Sequence, residues 1–228
     1  MHLLLPAAGV GRRMGGDRNK LFMPLLGKPL LAWTLEAAAA SPSIQWIGII
    51  CQALDMPEIA KIVAEVGISV PMTFVSGGDT RQASVFNGVR SLPVNANHVL
   101  IHDGARCLVT PELFERCAKA ALTTPGFITA VPVKDTIKQV NDQRVITDTP
   151  DRSGLWAAQT PQGFEVDLLR ACHKRGDQEN WQVTDDAALL EKCGVPVSIV
   201  EGEETNLKVT TPVDLAIAQF ILQQRNAR

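Results

Sequence analysis

Apolar residues along this chain alternate between short continuous runs and stripes at helical spacing. His2 to Pro6 is an apolar run closed by a proline, which predicts a buried strand whose backbone then leaves the ladder. After a glycine-rich stretch, Leu30, Leu31, Trp33 and Leu35 recur at helical spacing through Ala40, with Pro29 suited to the first turn and Ser41-Pro42 as the stop. The same reading predicts strands at Trp46–Cys51 and Met72–Val75, separated by a helix over Pro57–Val66. A helix over Thr80–Arg90 then leads to a central strand, His98–His102. Thr110-Pro111-Glu112 caps a helix to about Leu122, and Phe127–Val133 is the next strand.

From Lys134 to Asp151 the pattern changes to polar and β-branched residues alternating round an Asn141-Asp142 turn, a hairpin exposed on both faces. An isolated hairpin is marginal in water, so it is either a surface flap or an arm gripping a second subunit. Strand and helix then alternate again: strand Leu155–Gln159, helix Glu165–Lys174, helix Thr184–Cys193 capped by Thr184 and ended by Gly194, and strands Val197–Val200 and Leu207–Val209. A last helix, capped by Thr211-Pro212, runs to about Gln224. The order predicts an α/β fold, a mainly parallel central sheet with helices on both faces, as one domain over residues 1–228 with an arm at about 134–155.

Charge changes the picture locally. The chain of 228 residues carries 22 Lys and Arg against 24 Asp and Glu, so no global basic field suggests nucleic acid as a partner. Yet Arg12, Arg13, Arg18 and Lys20 crowd one loop directly after the first strand, among Gly9, Gly11, Gly15 and Gly16. Accessible amides and cations at the carboxyl end of a strand suit a polyphosphate. The bland alternative is a flexible basic loop. Spacing excludes a dinucleotide fingerprint, whose third glycine would be Met14, and a Walker A loop, since Asp17-Arg18 follows Gly16 where Lys-Ser or Lys-Thr is needed. Cys51, Cys107, Cys117, Cys172 and Cys193 are odd in number and lack CxxC spacing, as expected of reduced, buried thiols. With a strand at its start and no run long enough to span a bilayer, the chain is expected to be soluble and cytoplasmic.

Other short motifs fall where strands end. Gly77-Gly78-Asp79-Thr80-Arg81-Gln82-Ala83-Ser84 is a tight turn feeding a helix, either an ordinary capped helix or a seat for a planar polar ligand. Asp103 follows a buried strand, where it either caps the turn or joins a hard cation such as Mg²⁺ to phosphate oxygens. Arg152 and Lys208 add cations near later turns, and one phosphate-rich site would use them all.

The stretches PAAGVGRRMGGDRNK, GGDTRQASV, HDGAR, VKDTIK, DRSGLW, TPQGF, TDDA and NLKVT, in this order and at these intervals, resemble the 2-C-methyl-D-erythritol 4-phosphate cytidylyltransferases over nearly the whole chain. The resemblance implies a Rossmann-like nucleotidyltransferase fold, CTP, 2-C-methyl-D-erythritol 4-phosphate and Mg²⁺ at the site, and a homodimer interlocked by projecting arms. It further implies that Arg13 and Lys20 are catalytic at the α-phosphate. Ala7, Ala8, Gly9, Gly11, Arg12, Gly78, Asp79, Arg81, Ser84, Asp103 and Gly104 would bind CTP, Asp103 also being the metal-associated carboxylate. Arg106, Thr136, Arg152, Thr160 and Lys208 would bind the sugar phosphate, Thr136 and Arg152 coming from the partner subunit. Two departures are Asn19-Lys20-Leu21, where many members have Pro-Lys-Gln, and Cys107, where a proline commonly stands. The sugar phosphate is an anionic nucleophile, so positioning and charge neutralisation suffice without a Ser, Cys or His nucleophile. A ribitol 5-phosphate cytidylyltransferase on the same fold and a non-catalytic nucleotide-binding regulator are the alternative functions.

Overall fold

The computed structural model describes residues 1–9 and 19–227. Its elements are β1 (His2–Pro6), β2 (Pro24–Leu25), β3 (Lys28–Pro29), α1 (Leu30–Ala39), β4 (Trp46–Cys51), α2 (Met56–Val66), β5 (Met72–Ser76), α3 (Arg81–Ser91) and β6 (His98–Ile101). They continue with α4 (Pro111–Ala120), β7 (Gly126–Pro132), β8 (Gln139–Val140), β9 (Ile146–Asp148), β10 (Trp156–Glu165), α5 (Val166–Gln178), α6 (Ala187–Lys192), β11 (Ser198–Glu201) and α7 (Pro212–Asn226).

Seven strands form one sheet in the order β11-β7-β10-β6-β1-β4-β5, parallel throughout except for β10, which is antiparallel to both neighbours. This is the mainly parallel Rossmann-like sheet expected, with helices on both faces. Alternation along β1 sorts its side chains between those faces. Leu3 and Leu5 join Leu35, Ile47, Ile49 and Phe114 in a core on the α1, α2 and α4 side. Leu4 joins Ile50, Val85, Val89 and Leu169 on the α3, α5 and α6 side. Gly88 lets α3 press against the sheet, since a Cβ there would stand 2.6 Å from Ile50 Cδ1. A third apolar cluster, with Leu25, Leu30, Leu108 and Val209, seats α7 through Ala218 and Leu222.

Four sequence expectations are corrected. The helix placed at Thr184–Cys193 begins only at Ala187, and Thr184 does not cap it. Instead the Asp185 carboxylate accepts from the Ala188 amide (3.1 Å) while Asp186 turns inward. Leu207–Val209 forms no strand; the Val209 amide donates to the Ala105 carbonyl (2.9 Å), which swings Lys208 over the ends of the sheet. β10 runs from Trp156 past the expected end at Gln159 to Glu165, its register shifting between Ala158 and Gln162, so that Thr160 and Pro161 lie inside it. The hairpin's ladder is short, Gln139–Val140 against Ile146–Asp148, with the Asn141 side chain accepting from the amides of Gln143 and Val145. A second small hairpin, β2–β3, turning at Leu26 and Gly27 with positive φ, was not expected.

The five cysteines are free, Cys51, Cys107, Cys117 and Cys172 buried and Cys193 half-buried. Among the described residues no helix is long and apolar enough to cross a membrane.

Candidate active site

A cleft of about 810 Å³ opens at the carboxyl ends of the central strands. Ala7, Ala8 and Gly9 follow β1, Gln52 follows β4, Gly78 to Arg81 follow β5, and Asp103 to Ala105 follow β6; Lys20, Lys208 and Thr210 close its side. Ligands of open α/β sheets bind at this end, where strand order reverses about β1.

The ends of the first loop are tied by Asn19, which is buried. Its amide donates to the Ala7 carbonyl (2.7 Å) and to Asp55 (2.9 Å), and its carbonyl accepts from the Leu21 amide (3.1 Å). Asn19, one of the departures, thus fixes where Lys20 begins. The Lys20 ammonium donates to the Val209 carbonyl (2.8 Å) at the opposite wall.

Across the cleft, Thr80 caps α3 by accepting from the Ala83 amide (3.0 Å). The Ser84 hydroxyl accepts from the Gly78 amide (2.9 Å) and donates to the Gly78 carbonyl (3.3 Å). Its single hydrogen is therefore spent on holding the turn, and what this turn offers a ligand is shaped backbone rather than a hydroxyl donor. The approach is close: a Cβ on Gly77 would stand 2.7 Å from Ala8 Cβ, and one on Gly78 2.7 Å from Ala83 Cβ.

Asp103 lies between these walls, its carboxylate 2.7 Å from the Lys208 ammonium. Burial pushes its pKa up, but Lys208 and then Arg81 outweigh burial and hold it below the ordinary carboxylate range. The Asp103 amide donates to Thr160 Oγ1 (3.0 Å), and that hydroxyl faces His102 Nδ1 at 3.0 Å. His102 Nε2 faces the Arg106 carbonyl at 3.2 Å. This chain calls for the Nε2–H tautomer, with Nδ1 accepting from Thr160, and burial keeps the ring neutral by lowering its pKa to about 4. Asn206 donates to the Thr160 carbonyl (2.8 Å), and Arg106 donates to the carbonyls of Asn206 (2.8 Å) and Ala158 (3.3 Å). Arg106 and Thr160 therefore brace the floor through backbone contacts.

Ala7, Ala8, Gly9, Lys20, Gly78, Asp79, Arg81, Ser84, Asp103, Gly104 and Lys208 are brought together in this one cleft. Thr136 and Arg152 are exposed on the arm and do not line it; Arg152 donates to the Lys134 carbonyl (2.5 Å) at the arm's base. Gly11, Arg12 and Arg13 lie outside the described residues. Gln52 and Thr210 line the site and Asn19 ties its edge; Gln52 lay in no motif, while Asn19 and Thr210 stand within PAAGVGRRMGGDRNK and NLKVT without having been given a role there. No group of three or more His, Cys, Asp or Glu among the described residues could hold a metal ion. Asp103 is the one carboxylate among the described residues of the cleft floor that could contribute to holding a divalent cation, and such an ion would need further oxygens from the substrate's phosphates.

The family model described as 2-C-methyl-D-erythritol 4-phosphate cytidylyltransferase (IspD) matches residues 1–224. The curated protein of that name from Crocosphaera subtropica is 64% identical over 225 residues, covering 99% of each chain. The one from Synechocystis is 63% identical over 228 residues, covering 100% of this chain and 99% of its own. Among solved structures, the 4-diphosphocytidyl-2C-methyl-D-erythritol synthase of Anaerococcus prevotii superposes with a TM-score of 0.87 at 30% identity over 97% of both chains. The cytidylyltransferase of Thermus thermophilus does so at 0.78 and 32%, over 97% of this chain and 98% of its own.

Proposed function

This chain belongs to the 2-C-methyl-D-erythritol 4-phosphate cytidylyltransferase family, and from that premise we infer how its cleft works. The protein transfers CMP from CTP to 2-C-methyl-D-erythritol 4-phosphate, releasing pyrophosphate and forming 4-diphosphocytidyl-2-C-methyl-D-erythritol for isoprenoid biosynthesis. The observation that carries the reading is that one cleft unites Lys20, Asp103 and Lys208 with the Gly78 turn.

In this reading the amides of Ala7 to Gly9, with Gly11 and Arg12, receive the triphosphate, and the backbone of Gly78 and Asp79, braced by Ser84, seats the cytosine. Asp103 beside Gly104 holds Mg²⁺, which supplies charge neutralisation on the phosphates when bound. Lys208, with Arg106 and Thr160 beneath it, receives the sugar phosphate, and Thr136 and Arg152 complete that site from a second copy. A phosphate oxygen of the sugar phosphate then forms a bond to the α-phosphorus as the bond from that phosphorus to the α,β-bridging oxygen breaks. Arg13 and Lys20 stabilise the charge spread over the in-line transition state and the departing pyrophosphate. No proton needs to leave the nucleophile, which agrees with a described cleft whose nearest histidine, His102, is neutral and buried beneath Thr160.

Support for the dimer comes from the arm, where Val140, Val145 and Ile146 are 50%, 56% and 57% exposed. Apolar side chains spaced along a hairpin that meets no other core fit cover by another copy. Pyrophosphate release from CTP with 2-C-methyl-D-erythritol 4-phosphate, measured beside ribitol 5-phosphate, tests the function. Release with the first alone is the expected result, and equal or greater release with ribitol 5-phosphate overturns the acceptor.

A further inference from the structure

The TDDA stretch places one carboxylate where α6 does not use it. Asp185 caps the helix through Ala188 and accepts from the Gln162 amide (2.9 Å), whereas Asp186, 1% exposed, makes no capping bond. Among the described residues neither Asp186 oxygen takes a hydrogen bond from a backbone amide or a hydroxyl. Its ion-pair partner is the Arg81 guanidinium, 2.9 Å away. His173 Nε2 stands at 3.6 Å, too far for a hydrogen bond, and burial followed by Arg81 lowers its pKa to about 4, so it is a neutral neighbour. The carboxylates of Asp185 and Asp103 add like charge, which with burial pushes the Asp186 pKa up, while α6 and α3 contribute Ala187, Leu189, Leu190, Val85 and Val89 to a buried apolar cluster on this side of the sheet.

An ion pair whose carboxylate is buried while its guanidinium stays 32% exposed is a poor device for stability, because the desolvation of Asp186 is met by one partly solvated partner. Its effect is on Arg81. That residue opens α3 at the turn of Gly78 to Ser84, lines the cleft, and also lines a separate cavity of about 450 Å³ bounded by Phe86, His173 and Trp181. The guanidinium thus stands in a wall with open space on both sides, where a long flexible side chain has many rotamers to lose. Asp186 fixes it from behind, and the charge of Arg81 is felt across the cleft at Asp103.

We propose that Asp186 is a positioning residue for the nucleotide, holding the Arg81 guanidinium at the rim of the base-binding turn so that it meets the nucleotide already oriented. This rests on the cleft being the CTP site. Asp186 touches no substrate and acts only through Arg81.

The test is calorimetric binding of CTP with Mg²⁺ and no sugar phosphate, beside steady-state kinetics, for Asp186→Asn, Arg81→Gln and the double variant. Asp186→Asn is expected to raise the CTP Kd and KM by about tenfold while kcat changes by less than about threefold, because only pre-organisation is lost. The double variant is expected to bind CTP no more weakly than Arg81→Gln alone, since each residue acts through the other. If Asp186→Asn does not fold, Arg81→Met/Asp186→Leu leaves no buried charge unpaired and must bind CTP as weakly as Arg81→Met. A CTP Kd within twofold of the unsubstituted protein for Asp186→Asn, or for the Met/Leu pair, overturns the proposal. So does a loss in which kcat and melting temperature fall while Kd stays fixed, the pattern of a purely structural residue. Failure of the unsubstituted protein to bind CTP at all would instead remove the reading of the cleft.

Discussion

In the floor of the cleft, Thr160, His102, Asn206 and Arg106 are drawn together by hydrogen bonds from three separate segments of the chain. Along residues 134–155, beyond the Lys134–Glu204 ion pair at the arm's base, the side-chain bonds are local, as with Lys138 and Thr149 (2.8 Å), and Val145 and Ile146 face solvent. The floor needs nothing from outside to hold Asp103 in place. The arm has one short ladder, which by itself is marginal in water. In the proposed dimer, the difference separates what one copy of the chain prepares in advance from what a second copy would bring.

Breaking the prepared half carries the largest expected effect. Lys20→Ala and Arg13→Ala are each expected to lower turnover by about a hundredfold or more with the fold retained, the scale of losing one transition-state donor. Near-normal single-turnover rates in either variant would remove that residue from the α-phosphate. The base side of the same half sets the next effect. Cytosine offers an exocyclic amine where uracil offers a carbonyl, so UTP would set an acceptor against the backbone carbonyls of the Ala7-Ala8 and Gly78 walls, each with a lone pair beyond those given to Asn19 and Ser84 at Ala7 and Gly78. A preference for CTP of about a hundredfold in kcat/KM follows, and equal efficiency with both nucleotides would contradict those walls.

The arm is broken differently. Val145→Asp with Ile146→Asp is expected to shift sedimentation toward the monomer and lower activity by about tenfold, as expected when a charge is forced into an apolar contact. Inactive Lys20→Ala and Arg152→Ala proteins, mixed under confirmed subunit exchange, should regain activity, because one site of each hybrid carries neither lesion. No recovery would mean that each copy completes its own site.

The smallest effect is a pH dependence of the buried floor. His102 and His173 have folded pKa values of about 4, below the ordinary 6.5. The unfolded chain therefore binds more protons between these values, so stability is full above pH 6.5 and is lost as pH falls toward 4. By pH 5.5 each histidine is expected to cost about 1 kcal/mol, and His102→Gln should flatten the slope of melting temperature against pH in this window.

The half that one chain prepares was also the half legible in the sequence. Buried strands such as Trp46–Cys51 were plain because every position is apolar, and Thr110 and Thr211 announced their helices through caps that the structure contains, while Thr80, read as the first helical residue, is the cap of α3. Thr184 misled because the Asp pair after it serves two tasks, one carboxylate capping α6 and the other binding Arg81, which no local pattern reveals. Leu207–Val209 has strand composition, yet its backbone is used to bridge Ala105 to α7. Lys20, Asp103 and Lys208 were nameable because each follows a motif. Asn19 was visible only as a departure, and its clamp on Ala7 depends on a fold that joins residues twelve apart in sequence.

The pairing of Lys208 with Asp103 shapes what the protein presents to a crowded solution. An ammonium 2.7 Å from a carboxylate has little outward field, and the Lys20 ammonium is likewise turned toward a carbonyl. Stray polyanions such as RNA or inorganic phosphate therefore find these two charges already screened, and must compete with the protein's own acceptors to use them. At these two lysines a ligand must offer enough further contacts to displace the carboxylate of Asp103 and the carbonyl of Val209.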